Sequence, residues 1–222
     1  MTPPQRRAAP SKASPLGGQR THEVRSVGAR FLWLVRHAQP LIEAGICYGQ
    51  LDVPADEAAT QTCAEELLKA LPQGITVACS PLQRCELLAP VLIGLRPDLT
   101  VKIDPKLQEM NFGQWEGKPW AAIAQTELQA WTDDFANYRA GQTGESVAQF
   151  MTRVGAAFDE LNPEQDTLWI THAGVIRAAS LLASGIRNIT RADQWPIAAP
   201  AYGQWCKLTL QLSLSTPNGH QS

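Results

Sequence analysis

Residues 31–35, Phe-Leu-Trp-Leu-Val, form an unbroken apolar run that ends on Arg36 and His37. A strand with one wet face alternates apolar and polar side chains. A run without alternation suits a strand covered on both faces, as in a parallel sheet held between helix layers. Residues 31–35 therefore read as a central parallel strand, and the fold class that follows is α/β. In open sheets of this kind ligands bind in the crevice beyond the carboxyl ends of the strands. Arg36 and His37 stand at that edge. The competing reading is a chance Arg-His pair in a surface loop, which makes the rest of the chain the test.

The same pattern recurs twice. Residues 75–80, Ile-Thr-Val-Ala-Cys-Ser, read as a second strand, followed by Ser80 as a helix N-cap, Pro81 at the first helical position and Gln83 completing a capping box. Arg84 then falls in the first turn of that helix. Residues 167–170 read as a third strand, which delivers His172 just ahead of an apolar helix over 174–183. Three buried strands thus release cations or hydrogen-bond donors at one edge, twice beside the free amides of a helix start, which is how an anion site is built. Two arginines with planar forks and two histidines suit a phosphoryl group better than a carboxylate. Singly, His172 reads equally as a core histidine, and Arg84 as the partner of Glu86 or another nearby acid.

With 222 residues, the chain suffices for one domain that buries roughly 70% of its unfolded surface. The five cysteines form no C-x-x-C pair and follow no secretory leader, so they read as reduced thiols in a cytoplasmic protein. The formal net charge is −2, but residues 1–30 hold five Arg and one Lys against one Glu, which leaves −7 on the remainder. Residues 1–28 are rich in Pro, Gly, Ser and Arg without apolar periodicity and read as a disordered basic tail. An organelle transit peptide is the alternative, and nucleic-acid binding by these scattered charges is less favoured. No stretch reaches the ~20 apolar residues of a membrane span. Residues 215–222 read as a second loose end, which bounds the domain at 29–214.

Within that domain the expected architecture is a three-layer α/β/α sandwich with a mainly parallel central sheet, an exposed amphipathic helix over 56–70 and a last strand near 204–212. Residues 104–162 are rich in aromatic side chains and read as a helical cap insertion, with helices near 119–138 and 145–161. Most of those aromatics read as core.

Taken together, the polar residues resemble the histidine phosphatase superfamily, also called the phosphoglycerate mutase-like family. Its R-H-G signature is matched by Arg36-His37-Ala38, its S-P-x-x-R arginine by Arg84 and its T-H-G histidine by His172. The acidic residue of L-x-E-x-x-x-G-x-x-E-G falls on Glu109, and a G-E-S stretch occurs at Gly144-Glu145-Ser146. Ala38 stands for the usual glycine, Pro40 for the usual hydroxyl residue, and the asparagine usual a few positions later is not apparent, so one phosphate contact is either lost or supplied by backbone amides. The resemblance implies a phosphomonoester hydrolase without cofactor or metal. His37 would be the nucleophile, Glu109 the general acid and base, and Arg36, Arg84 and His172 the phosphate holders. Gln39, Tyr48, Gly49, Trp115, Glu145 and Ala173 would surround the substrate.

Residue chemistry agrees with this. A neutral imidazole is nucleophilic, and a carboxylic acid can protonate the departing alkoxide and then accept a proton from water. Glu116 is the nearest rival of Glu109, although it reads more naturally as a loop anchor; Asp52 and Glu145 are weaker. Cys79 and Arg84 are spaced C-x₄-R, one short of the C-x₅-R cradle of cysteine phosphatases. The four histidines lack metal-ligand spacing. Residues 45–54, G-x-C-Y-G-x-x-D-V-P, look like the stretch found in α-ribazole phosphatases of cobalamin assembly. That likeness points to α-ribazole 5′-phosphate, with Tyr48 walling the site and Trp115 stacking on the flat base, or with both merely packing the loop. The expected partner is a small-molecule phosphomonoester, with no nucleic acid and no membrane, and a homodimer is left open. A broad-specificity phosphatase, a phosphoglycerate mutase and a non-catalytic phosphate-binding protein are the other readings.

Overall fold

Leu32 and Leu34 of β1 (Arg30–Arg36) pack into one apolar cluster and Trp33 and Val35 into another, on opposite faces of the sheet. That is the period of two expected of a strand. Both faces are covered, which is why the run shows no alternation. The computed structural model describes residues 30–210, so both expected tails and residues 211–212 of the last expected strand lie outside the described residues.

The sheet has five strands in the order β3-β2-β4-β1-β5, with β2 at Thr76–Cys79, β3 at Val101–Ile103, β4 at Thr167–Thr171 and β5 at Trp205–Leu210. β1, β2, β3 and β4 pair in parallel, and β5 runs antiparallel to β1. The central strand is thus β4. β1 lies one place away and is parallel on one side only, a correction to the sequence reading that the apolar run could not supply, because side-chain burial is blind to the direction of a neighbour.

One helix layer holds α1 (Glu57–Leu68) and α3 (Leu88–Leu95), whose Cys63, Leu67, Leu88 and Leu92 meet Val35, Val77 and Ile170. The other holds α5 (Val147–Asp159) and α6 (Ala173–Ala183), whose Phe150, Val154, Val175 and Ala179 meet Leu32, Leu34 and Trp169. Each fully buried leucine contributes roughly 1.5–3 kcal/mol relative to exposure. α1 begins where Asp56 accepts a hydrogen bond from the Ala59 amide, and α5 begins at a capping box between Ser146 and Gln149.

Two sequence expectations need correction here. The capping box at Ser80 and Gln83 does not form: α2 (Gln83–Glu86) starts later, with Leu82 at its N-cap. Gln83 instead donates to Asp52 from both its backbone N and its side-chain Nε2. The second correction concerns residues 104–162. α5 lies in the helix layer beside α6, so only residues 104–146, with α4 (Gln125–Asp133) and three short 3₁₀ turns, depart from the layers. No helix among the described residues is long and apolar enough to cross a membrane.

Candidate active site

Strand register decides which polar groups meet. Val35 pairs with Ile170 and Cys79 with the same Ile170, so β1, β4 and β2 end level with one another. The next residues along each chain therefore share one edge. The His37 amide donates to the Thr171 carbonyl at 3.0 Å and the Ser80 amide to the Ile170 carbonyl at 3.0 Å. His37 and His172 bring their ring centroids to 5.2 Å.

His37 is 2% exposed. Its Nδ1 lies 2.7 Å from the Ala38 carbonyl oxygen. A carbonyl can only accept, so Nδ1 carries the proton and Nε2 keeps its lone pair. Burial first and then the Arg84 charge pull the imidazole down to about 3, the Ala38 carbonyl pulls upward, and Arg36 adds a smaller downward pull. At pH 7 His37 is therefore neutral, with a free Nε2 lone pair. His172 is wholly buried, meets the Ser80 hydroxyl at 2.8 Å through Nε2, and is held well below the usual imidazole value by burial and by Arg84.

Arg84 is wholly buried and forms no ion pair among the described residues. Its two terminal nitrogens donate to the carbonyls of Leu51 and Gly49, and its Nε has no acceptor. The alternative of an Arg84–Glu86 pair is thereby removed. A buried cation without a counter-ion costs several kcal/mol. Arg36 is similarly placed: Nη1 donates to the Pro200 carbonyl, Nε lacks an acceptor, and the guanidinium lies 3.8 Å over the Tyr202 ring. Two cations without carboxylates beside a neutral histidine make a site for a dianion.

Glu109 reaches the start of α6. Its carboxylate accepts from the Met110 amide at 3.0 Å and the Gly174 amide at 2.9 Å. A Cβ on Gly174 would stand 2.1 Å from Glu109 Oε1, so glycine is required for this approach. The obstacle is the tip of a flexible side chain, and alanine favours a helix over glycine by about 1 kcal/mol. Gly174→Ala should accordingly leave the melting temperature unchanged or raised while displacing Glu109. A displacement of this size should lower kcat by on the order of 10²-fold. Parallel loss of stability and activity would contradict that placement.

Other sequence-predicted residues fare differently. Glu116 is an anchor, its carboxylate accepting from the amides of Gly49, Gln50, Leu51 and Phe112. Gly49 gives its amide to Glu116 and accepts from Arg84 at its carbonyl, so it braces that arginine, which corrects its reading as a substrate contact. Trp115 is 1% exposed and donates through Nε1 to Glu127 at 2.6 Å, so it offers no face to a base, a second correction. The third is Glu145, which forms a two-pronged ion pair with Arg153. Arg153 in turn donates to the carbonyls of Lys106, Gln108 and Glu109, so the pair positions the backbone that carries Glu109. Tyr48 does stand at the site, sharing a 2.6 Å hydrogen bond with Tyr202 and lying 5.3 Å from the Arg84 guanidinium. Gln39 is exposed two residues after His37, and Ala173 supplies the first amide of α6. Burial pushes the Cys79 thiol up to about 12, so it remains a protonated strand residue. Among the described residues no group of three or more His, Cys, Asp or Glu is placed to hold a metal ion.

Sequence reasoning passed over Tyr202, Arg153, Gly174 and the Ser80–His172 contact. Tyr202 meets Tyr48 across 154 residues, His172 meets Ser80 across 92, Gly174 meets Glu109 across 65 and Arg153 meets the Glu109 carbonyl across 44, separations that leave no local signal.

Against known proteins, the family model described as "Histidine phosphatase superfamily (branch 1)" matches residues 32–211. The chain is 27% identical over 195 residues to the adenosylcobalamin/alpha-ribazole phosphatase of Escherichia coli K12, covering 83% of this chain and 92% of that protein. It is 29% identical over 200 residues to the glucosyl-3-phosphoglycerate phosphatase of Mycobacterium tuberculosis, covering 82% and 86%. The native structure of the mycobacterial glucosyl-3-phosphoglycerate phosphatase superposes with a TM-score of 0.68 at 28% identity, covering 82% of this chain and 90% of that one.

Proposed function

The chain belongs to the histidine phosphatase superfamily, branch 1, and from that membership we propose that it hydrolyses phosphomonoesters through a phosphohistidine on His37. The observation that carries the proposal is the buried neutral His37, with its free Nε2 beside two arginines that pair with no carboxylate.

In this reading the phosphoryl oxygens are bound by Arg36, Arg84 and His172, whose donors match the charge spread over the equatorial oxygens of a loose transition state. His37 Nε2 forms a bond to phosphorus as the ester P–O bond breaks, and the Nδ1 proton stays on the Ala38 carbonyl side. Protonated Glu109 gives its proton to the departing alkoxide. Glu109, now a carboxylate, takes a proton from a water whose oxygen attacks phosphorus. The N–P bond breaks, inorganic phosphate leaves, and both groups return to their starting states. Pro40 offers no hydroxyl where mutases of the family usually have one, which favours net hydrolysis over phosphoryl return to the product. Glu109 distinguishes this reading from simple phosphate binding, which needs the cations but no acid.

The finer reading is α-ribazole 5′-phosphate, supported by the G-x-C-Y-G-x-x-D-V-P loop, by Tyr48 at the site and by a relative that bears that activity in its name. A kinetic panel tests it. The expected result is a higher kcat/KM for α-ribazole 5′-phosphate than for 3-phosphoglycerate, sugar phosphates or phosphopeptides, narrowed in Tyr48→Ala mainly through KM. Equal rates on every ester would leave a broad-specificity phosphatase, and rapid phosphoglycerate isomerisation would make the protein a mutase.

A further inference from the structure

Glu109 and Gly174 help to line a cavity of about 290 Å³. Five aromatic rings arch around it in continuous contact. Successive centroids are 6.2 Å apart from Phe112 to Trp131, 5.7 Å from Trp131 to Phe135, 6.5 Å from Phe135 to Trp195 and 6.2 Å from Trp195 to Phe150. Trp195 comes from the loop between α6 and β5, so the arch joins elements distant in sequence. A cavity of roughly 150 Å³ takes a benzene ring, so this one has room for a fused bicyclic ring or a substituted single ring.

Set into this apolar wall is Arg177 of α6. Its Nη2 donates to the Ile197 carbonyl at 3.0 Å, and it forms no ion pair among the described residues. A guanidinium has five N–H donors, and one is used. Among the described residues five buried side-chain nitrogens lack an acceptor: those of Arg36 and Arg84 at the phosphate site, those of Arg177 and Trp131 on residues lining this cavity, and that of Trp33. Unpaired donors therefore gather around the phosphoryl site and around this cavity.

We propose that the cavity is the leaving-group subsite and that Arg177 selects within it, so that the substrate is a phosphomonoester whose alcohol carries a flat apolar ring with a hydrogen-bond acceptor at its edge. The proposal rests on the phosphatase reading of the site. Glu109 stands at the border of the two regions, where the bridging ester oxygen must lie if Glu109 protonates it. The ring then extends into the aromatic arch, and its acceptor meets Arg177. A chain with the arch but no cation would favour plain aryl groups, and one with the cation but no arch would favour small polar alcohols.

The test compares phenyl, 3-carbamoylphenyl and 3-carboxyphenyl phosphate on the full-length protein, on Arg177→Met and on Arg177→Lys. Wild type should prefer 3-carboxyphenyl over phenyl phosphate by about tenfold or more in kcat/KM, as a charge-assisted hydrogen bond allows, with the carboxamide between. In Arg177→Met the ratio should fall to about one, and Arg177→Lys should restore part of it. Because each ratio is taken within one protein, differences in leaving-group acidity cancel between wild type and variant. Wild type that cleaves all three esters without preference, or a preference unchanged in Arg177→Met, would overturn the inference while leaving the phosphatase reading intact. Failure to cleave any of the three by protein that still hydrolyses α-ribazole 5′-phosphate would overturn this inference alone, whereas failure on that ester as well would overturn the phosphatase reading and this one with it.

Discussion

Replacement of His37 by alanine should lower turnover by on the order of 10⁴-fold or more, the scale seen when a covalent nucleophile is removed. The basis is chemical as well as geometric. Phosphate monoesters are so inert that the full acceleration by an enzyme can reach ~10²¹, and the free Nε2 of His37 is the nucleophile that divides the displacement into two steps. Arg36 and Arg84 survive the change, so inorganic phosphate should still bind within roughly an order of magnitude of wild type. Those arginines contribute charge-assisted bonds of roughly 1.5–3 kcal/mol each. Calorimetric titration with phosphate beside steady-state kinetics separates the two effects. A loss below tenfold would place the nucleophile elsewhere.

For Glu109→Gln the expected result depends on the leaving group. Glutamine retains one oxygen that can accept from the Gly174 amide and gives up the contact from the Met110 amide. What disappears is the acidic O–H. Alkyl phosphates, whose alkoxides need a proton, should lose about 10²–10⁴-fold, the usual range for general acid catalysis. Nitrophenyl phosphate, whose leaving group is already stable, should lose far less in the first step. Glu116→Gln serves as the comparison. Its carboxylate is committed to four backbone amides, so its loss should loosen residues 49–51 and affect every ester alike. A uniform loss in Glu109→Gln would make Glu109 structural too.

Much of this molecule was legible where local chemistry decides the outcome. Unalternating hydrophobicity in residues 31–35 announced a strand buried on two faces, because each face needs its own apolar set. The helices expected from about residues 56 and 145 begin at Glu57 and Val147, where Asp56 and Ser146 satisfy amides only three residues away. Arg36 and His172 stood out for a similar reason, one ending a buried strand and the other following one directly, whereas Arg84 stood out as the arginine after Ser80 and Pro81.

Local signals failed where a distant partner made a better offer. Ser80 has every attribute of an N-cap, yet its hydroxyl meets His172, 92 residues on, and the helix starts later. Trp115 has the chemistry to stack on a base, but Glu127 and the surrounding rings bury it. Glu145 precedes a helix as an acidic substrate contact might, and Arg153, two turns along that helix, claims it. Tyr202, which supports Arg36 and meets Tyr48, sits in a loop whose position depends on β5 pairing antiparallel to β1. No spacing in the sequence encodes that pairing.

The most direct measurement of the central claim is chemical trapping of the intermediate. Substrate labelled at phosphorus is mixed with the protein, quenched during turnover, and the protein is assayed for bound label. Wild type should carry label that is lost in acid and kept in alkali, as expected of a phosphorus–nitrogen bond, and His37→Ala should carry none. Wild type free of label during turnover, or label that persists in His37→Ala, would contradict the account.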